Sequence, residues 1–100
     1  MKQRMFLVAA TAMCAVTRAQ AGDAEIGKQL AESRCAPCHV VGAWRGDEQA
    51  EAPPFAVIAQ KFPSDAVLIL GLRGPHAKMN FRPTQREAED LAEYIRSLAP

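Results

Sequence analysis

The chain has 100 residues, with 12 basic and 11 acidic side chains and a formal net charge of +1. That length holds one small domain and excludes a multidomain enzyme, and the near balance of charge excludes the strongly basic surface that grips nucleic acid. The first 21 residues carry Lys2, Arg4 and Arg18 but no acid, enclose an apolar run from Met5 to Val16, and end in Ala19-Gln20-Ala21. This is the layout of a secretory signal peptide with a small-x-small cleavage site. The apolar run is shorter than the roughly 20 residues a membrane span needs, and no other stretch approaches that length. A lipoprotein reading of Cys14 is opposed by the bulky Met13 before it. The sequence therefore predicts export, removal of residues 1–21, and a mature domain of residues 22–100 without a transmembrane segment.

Without its first 21 residues the chain keeps nine basic and eleven acidic side chains, a formal charge of −2. Its only thiols, imidazoles and thioether are then Cys35, Cys38, His39, His76 and Met79. Five aromatic residues (Trp44, Phe55, Phe62, Phe81 and Tyr94) give a thin core, and domains this small need a staple. A bridge between Cys35 and Cys38 would close too short a loop to restrain the unfolded chain much. A large apolar cofactor would serve better.

The predicted elements are all helical. From Asp23 to Arg34, Ile26, Leu30 and Ala31 share one helical face and Asp23 is placed to cap the first turn. From Pro54 to Phe62, Phe55, Ile58, Ala59 and Phe62 recur at helical spacing, with Pro54 suited to the first helical position. Ser64 starts a short helix from Asp65 to about Leu70, which Gly71 can end in a left-handed cap. After Pro83, Thr84-Gln85-Arg86-Glu87 forms a capping box, and Ala88, Leu91, Ala92, Ile95 and Leu98 line one face of the last helix. Two long loops, 40–53 and 72–83, separate these helices. Loops of a dozen residues in so small a domain are usually functional or wrapped on something.

The chemistry concentrates in Cys35-Ala36-Pro37-Cys38-His39. C-x-x-C-H is the attachment spacing of c-type haem: two thiols reach the two vinyl groups as thioethers, and the adjacent imidazole is delivered to the iron from the same side. The other readings of these residues are a surface disulfide beside an unrelated histidine, a thioredoxin-type dithiol, and a zinc site. The dithiol expects a β-α-β setting absent from this pattern, and zinc wants four ligands where only a distant His76 remains to complete the set.

Over residues 23–98 the sequence resembles the small monohaem class I cytochromes c. Gly27 stands eight residues before Cys35, as the family's first-helix glycine does, and Asp90-Leu91-Ala92-Glu93-Tyr94-Ile95 is similar to its last-helix Leu-x-x-aromatic pattern, with Tyr94 the partner at the crossing. Ala31 departs from the aromatic residue of many relatives, which implies a looser contact between the terminal helices. His76-Ala77-Lys78-Met79-Asn80-Phe81 is similar to a His-Pro-x-Met-Pro-x-Phe pattern of one bacterial group, with Ala77 and Asn80 in place of its prolines. The resemblance implies an all-α cytochrome c fold of three to five helices around one covalently bound haem c. It also implies iron ligation by His39 and Met79, with His76 a competing ligand. The segment Ala52-Pro53-Pro54-Phe55 resembles the family's Gly-Pro-x-Leu, so the Pro53 carbonyl is the expected acceptor for the ligating imidazole. Trp44 and Arg45, after the haem motif, could bond the haem propionates.

A six-coordinate iron leaves outer-sphere electron transfer rather than peroxidase or gas chemistry. The expected function is an electron carrier of the bacterial periplasm, not an enzyme. The alternatives are a small haem subunit of a dehydrogenase or oxidase complex and a haem-based ligand sensor. Between Gly71 and Arg86 lie Arg73, Lys78, Arg82 and Arg86 with no acid, while the rest of the mature chain carries −6. That asymmetry predicts redox partners with an acidic docking surface.

Overall fold

A computed structural model describes residues 22–76 and 79–100; residues 1–21, with the signal peptide and Cys14, and residues 77 and 78, with Lys78, lie outside the described residues. Asp23 sits in extended backbone, and its carboxylate accepts from the N–H groups of Glu25 at 2.9 Å and Ile26 at 3.2 Å. Those donors have no partner within a first helical turn, which is why an acidic cap starts a helix here. Helix α1 spans Ala24–Leu30. The chain then widens into a single π-helical turn, Ala31–Cys35, in which the Ala36 N–H reaches back five residues to the Ala31 carbonyl at 3.0 Å. The helix expected to end at Arg34 thus runs on to Cys35, but with its last turn rephased.

Helix α2 is Phe55–Lys61 and buries Phe55 and Ala59. Pro54 stands just outside it, at φ −58° and ψ 143°, and not at its first position. Phe62 lies past its end and is 39% exposed. Helix α3, Asp65–Arg73, passes straight through Gly71, and the chain leaves it at Gly74 in extended, not left-handed, backbone. Leu68 is buried and Ile69 and Leu72 pack partly beneath it. An apolar face that continues past Gly71 outweighs the roughly 1 kcal/mol a mid-helix glycine costs. Helix α4 is Gln85–Ser97, opened by the capping box as expected: Thr84 Oγ1 accepts from the Glu87 N–H at 3.1 Å and Glu87 Oε1 from the Thr84 N–H at 3.0 Å. The described residues contain these four α-helices and no strand.

The terminal helices cross closely. A Cβ on Gly27 would collide with the Asp90 carbonyl and lie 2.8 Å from the Tyr94 Cβ. Ala31 is completely buried, so the contact expected to be loose is closed by proximity of the backbones. Along α1 and the π-helical turn the buried face is accordingly Gly27, Ala31 and Cys35, with Leu30 half-buried; Ile26 is 44% exposed. α4 buries a second face as well, since Asp90 and Tyr94 join Ala88, Leu91, Ala92 and Ile95. Asp90 accepts the Asp23 N–H at 2.7 Å and stands 3.6 Å from the Arg86 Nε, which satisfies a carboxylate that would otherwise be costly to bury.

Tyr94 donates its hydroxyl to the Val41 carbonyl at 2.6 Å, which ties α4 to the loop after the cysteines. Burial, with the charges of Glu32 and Glu25 adding to it, raises this phenol above its ordinary 10.0. A folded value above the unfolded one gives a contribution that is full below pH 10 and lost as pH rises through the raised value. Tyr94→Phe is expected to cost about 1 kcal/mol at neutral pH, the worth of one buried hydrogen bond. It should also flatten the alkaline loss of stability in guanidinium titrations on either side of pH 10.

Candidate cofactor site

The Cys38 N–H reaches the Cys35 carbonyl at 3.1 Å and the His39 N–H the same carbonyl at 3.0 Å, so residues 35–39 form one further helical turn. Positions three and four apart share a face of such a turn, which places Cys35, Cys38 and His39 together. Both thiols are free; Cys35 is buried and Cys38 half-buried. Burial raises the Cys35 thiol above its ordinary value. Among the described residues no three or more His, Cys, Asp or Glu side chains gather as a metal ion alone would need, which leaves the zinc reading without a ligand set.

His39 is nearly buried and packs its ring against Phe55, with centroids 5.0 Å apart. Its Nδ1 lies 2.6 Å from the Pro53 carbonyl oxygen. A carbonyl can only accept, so Nδ1 carries the proton and Nε2 keeps its lone pair for a metal. This is the arrangement that orients a ligating imidazole. Proline has no N–H of its own, and the loop is anchored on both sides: the Ala52 N–H bonds the Cys38 carbonyl and the Phe55 N–H the Val40 carbonyl, each at 2.9 Å.

Beside this turn opens a cavity of about 400 Å³. Cys35 and His39 form one side of it, Leu68, Leu91 and Ile95 its apolar floor, and Met79 and His76 another part of its lining. A second hollow of about 310 Å³ brings Cys38 to the same His39, His76 and Met79. The Met79 N–H meets the His76 carbonyl at 3.3 Å, so both side chains come from one turn. Two thiols, one oriented imidazole and an apolar hollow of ligand size match what a covalently held haem requires.

The structure therefore gathers Cys35, Cys38, His39, Pro53, His76 and Met79. It does not bring Trp44 and Arg45 to the cavity. The Trp44 indole N–H donates to the Glu48 carbonyl at 3.3 Å, and the Arg45 N–H bonds the Glu48 carboxylate at 3.1 Å, so both belong to a local solvated turn. In this arrangement the backbone carbonyl of Glu48 holds the indole N–H, and its carboxylate stands 3.9 Å from the Arg45 guanidinium. Sequence reasoning missed Arg34, whose guanidinium lies over the Phe81 ring at 5.1 Å and so joins the cysteine segment to the Met79 loop. No spacing signal links residues 47 positions apart. Phe55 was legible as a core residue but not as the support of the imidazole.

An α-helical domain that closes its first helix on its last and turns Cys-x-x-Cys-His toward an apolar hollow defines a haem-binding class. The chain is 42% identical over 85 residues to cytochrome c-552 of Bradyrhizobium diazoefficiens, covering 82% of this chain and 81% of that one. It belongs to the small c-type cytochromes, and is a haem electron-transfer protein with covalently bound haem c. No family model matches the chain, and no solved structure matches it.

Proposed function

We propose that this protein is an exported one-electron carrier and not an enzyme. Its haem is bound through thioethers at Cys35 and Cys38 and ligated by His39 and Met79. The observation that carries the ligand assignment is the 2.6 Å bond from His39 Nδ1 to the Pro53 carbonyl, which reserves Nε2 for the iron. Met79 would be the second ligand, because it is the one methionine of residues 22–100 and lines the hollow that His39 lines. The haem supplies the reversible Fe(III)/Fe(II) couple. The chain supplies two ligands and an apolar wall that excludes water. A methionine ligand raises the reduction potential.

Residues 22–100 form the mature domain in this reading. Gly22 supports it, since a Cβ there would collide with the Glu89 carbonyl, so that residue is packed on α4. Export to the periplasm rests on the signal-peptide pattern of residues 1–21. Among the described residues no helix is long and apolar enough to cross a membrane.

The test of ligation is the long-wavelength sulfur-to-iron band of the oxidised protein. It should vanish in Met79→Ala and persist in His76→Ala. A wild type that shows no such band would make His76, not Met79, the second ligand.

Docking follows from the charges around the cavity mouth. Arg73 and Arg82 are exposed next to the lining residues Leu72 and Phe81, while Val67 at 49% exposure adds apolar surface. Arg86 contributes less than its charge implies, because Glu89 at 3.8 Å and Asp90 at 3.6 Å stand beside it. A partner with an acidic rim is expected to react fastest at low salt and to slow steeply as salt screens the pair. Stopped-flow rates with an acidic and a basic redox partner across a salt series check this, and Arg73→Glu with Arg82→Glu should remove most of the dependence.

A further inference from the structure

His76 has no part in the ligation proposed above, yet its ring is placed as a ligand would be. Its centroid lies 6.0 Å from that of His39, with the ring planes inclined by 35°. Two imidazoles on opposite faces of one metal ion stand roughly 6 Å apart, from a metal–nitrogen bond of about 2 Å and about 1 Å from nitrogen to ring centre on each side. His76 lines both the main cavity and the hollow that holds Cys38, as does Met79. The two side chains leave one turn closed by the Met79 N–H and the His76 carbonyl, so they compete for one ligand position and cannot share it.

Resting on Met79 as the ligand of the intact protein, we infer that His76 is the reserve ligand for the same face of the iron. When the Met79 thioether is absent or withdrawn, the His76 imidazole takes its place. In that exchange the iron–sulfur bond breaks, Met79 keeps its lone pair, and a neutral imidazole nitrogen forms the new bond. No electron is transferred, and a protonated ring first gives its proton to solvent. The consequence is a centre that stays six-coordinate and closed to small ligands, at a lower potential than with methionine.

Four holoproteins test this: wild type, His76→Ala, Met79→Leu, and the double variant, each checked for bound haem and helix content. Leucine keeps the apolar volume of Met79 without its sulfur. Met79→Leu is expected to lose the sulfur-to-iron band but remain low-spin by electron paramagnetic resonance. The double variant should become high-spin when oxidised and, when reduced, bind carbon monoxide at least tenfold more tightly than Met79→Leu. A Met79→Leu protein as high-spin and as avid for carbon monoxide as the double variant would overturn the reserve role. So would a double variant that stays low-spin, since another group would then be the ligand. A wild type that lacks the sulfur-to-iron band and turns high-spin on His76→Ala alone would overturn the Met79 assignment itself, and the reserve role with it.

Discussion

Replacing both Cys35 and Cys38 by alanine is expected to give a chain with no haem retained on a denaturing gel and with most of its helix lost. The fold needs its cofactor as core, because the four helices bury few large side chains of their own; among the described residues the largest fully enclosed ones are Leu91 and Ile95. An apolar hollow of about 400 Å³ left unfilled deprives its lining side chains of packing partners, and a domain this size has only about 5–15 kcal/mol of net stability to lose. Either single replacement leaves one thioether, so the haem stain should persist while the melting temperature falls. A doubly substituted chain that stayed helical without haem would show that the helices carry the fold alone.

Gly27→Ala is expected to destabilise the holoprotein by about 3 kcal/mol or more, an overpacking effect at the upper end of its range. The reason is local: the added methyl meets the Asp90 backbone, which is part of a helix and cannot yield as a side chain tip would. The same substitution at Gly42, where a Cβ meets nothing within 4 Å, should be neutral or stabilise by up to about 1 kcal/mol through the unfolded chain. Guanidinium unfolding of the two variants side by side should show a large loss at Gly27 and none at Gly42. Equal costs at both positions would show that the crossing is not close in solution.

Much of this was legible in the sequence, for reasons that differ from element to element. Helix α4 could be read almost to the residue, because its capping box and apolar spacing are local signals that its burial then reinforces. Asp23 as a cap, Tyr94 at the crossing and Pro53 as the acceptor for His39 also came through. Helix α3 was cut short because a glycine is a local stop signal, whereas the packing of Leu72 beyond it is a property of the whole fold. The π-helical turn before Cys35 was not legible, since one extra residue in a turn leaves no mark in composition. Ile26 was misplaced because it is a large apolar residue in a chain with little interior, so some such surface must remain in contact with water.

The joining of Asp23 to Asp90 and of Val41 to Tyr94 also sets an order in time. These contacts span 67 and 53 positions, most of the length of the domain, so the closure they make is slow by topology. While the chain is being synthesised, Gly27 and Ala31 have nothing to pack on until α4 has emerged. Cys35 through His39, near the front of the domain, therefore spend that interval uncovered. The late clasp of the two ends leaves a window in which the thiols can be reached before the cavity shuts around its cofactor.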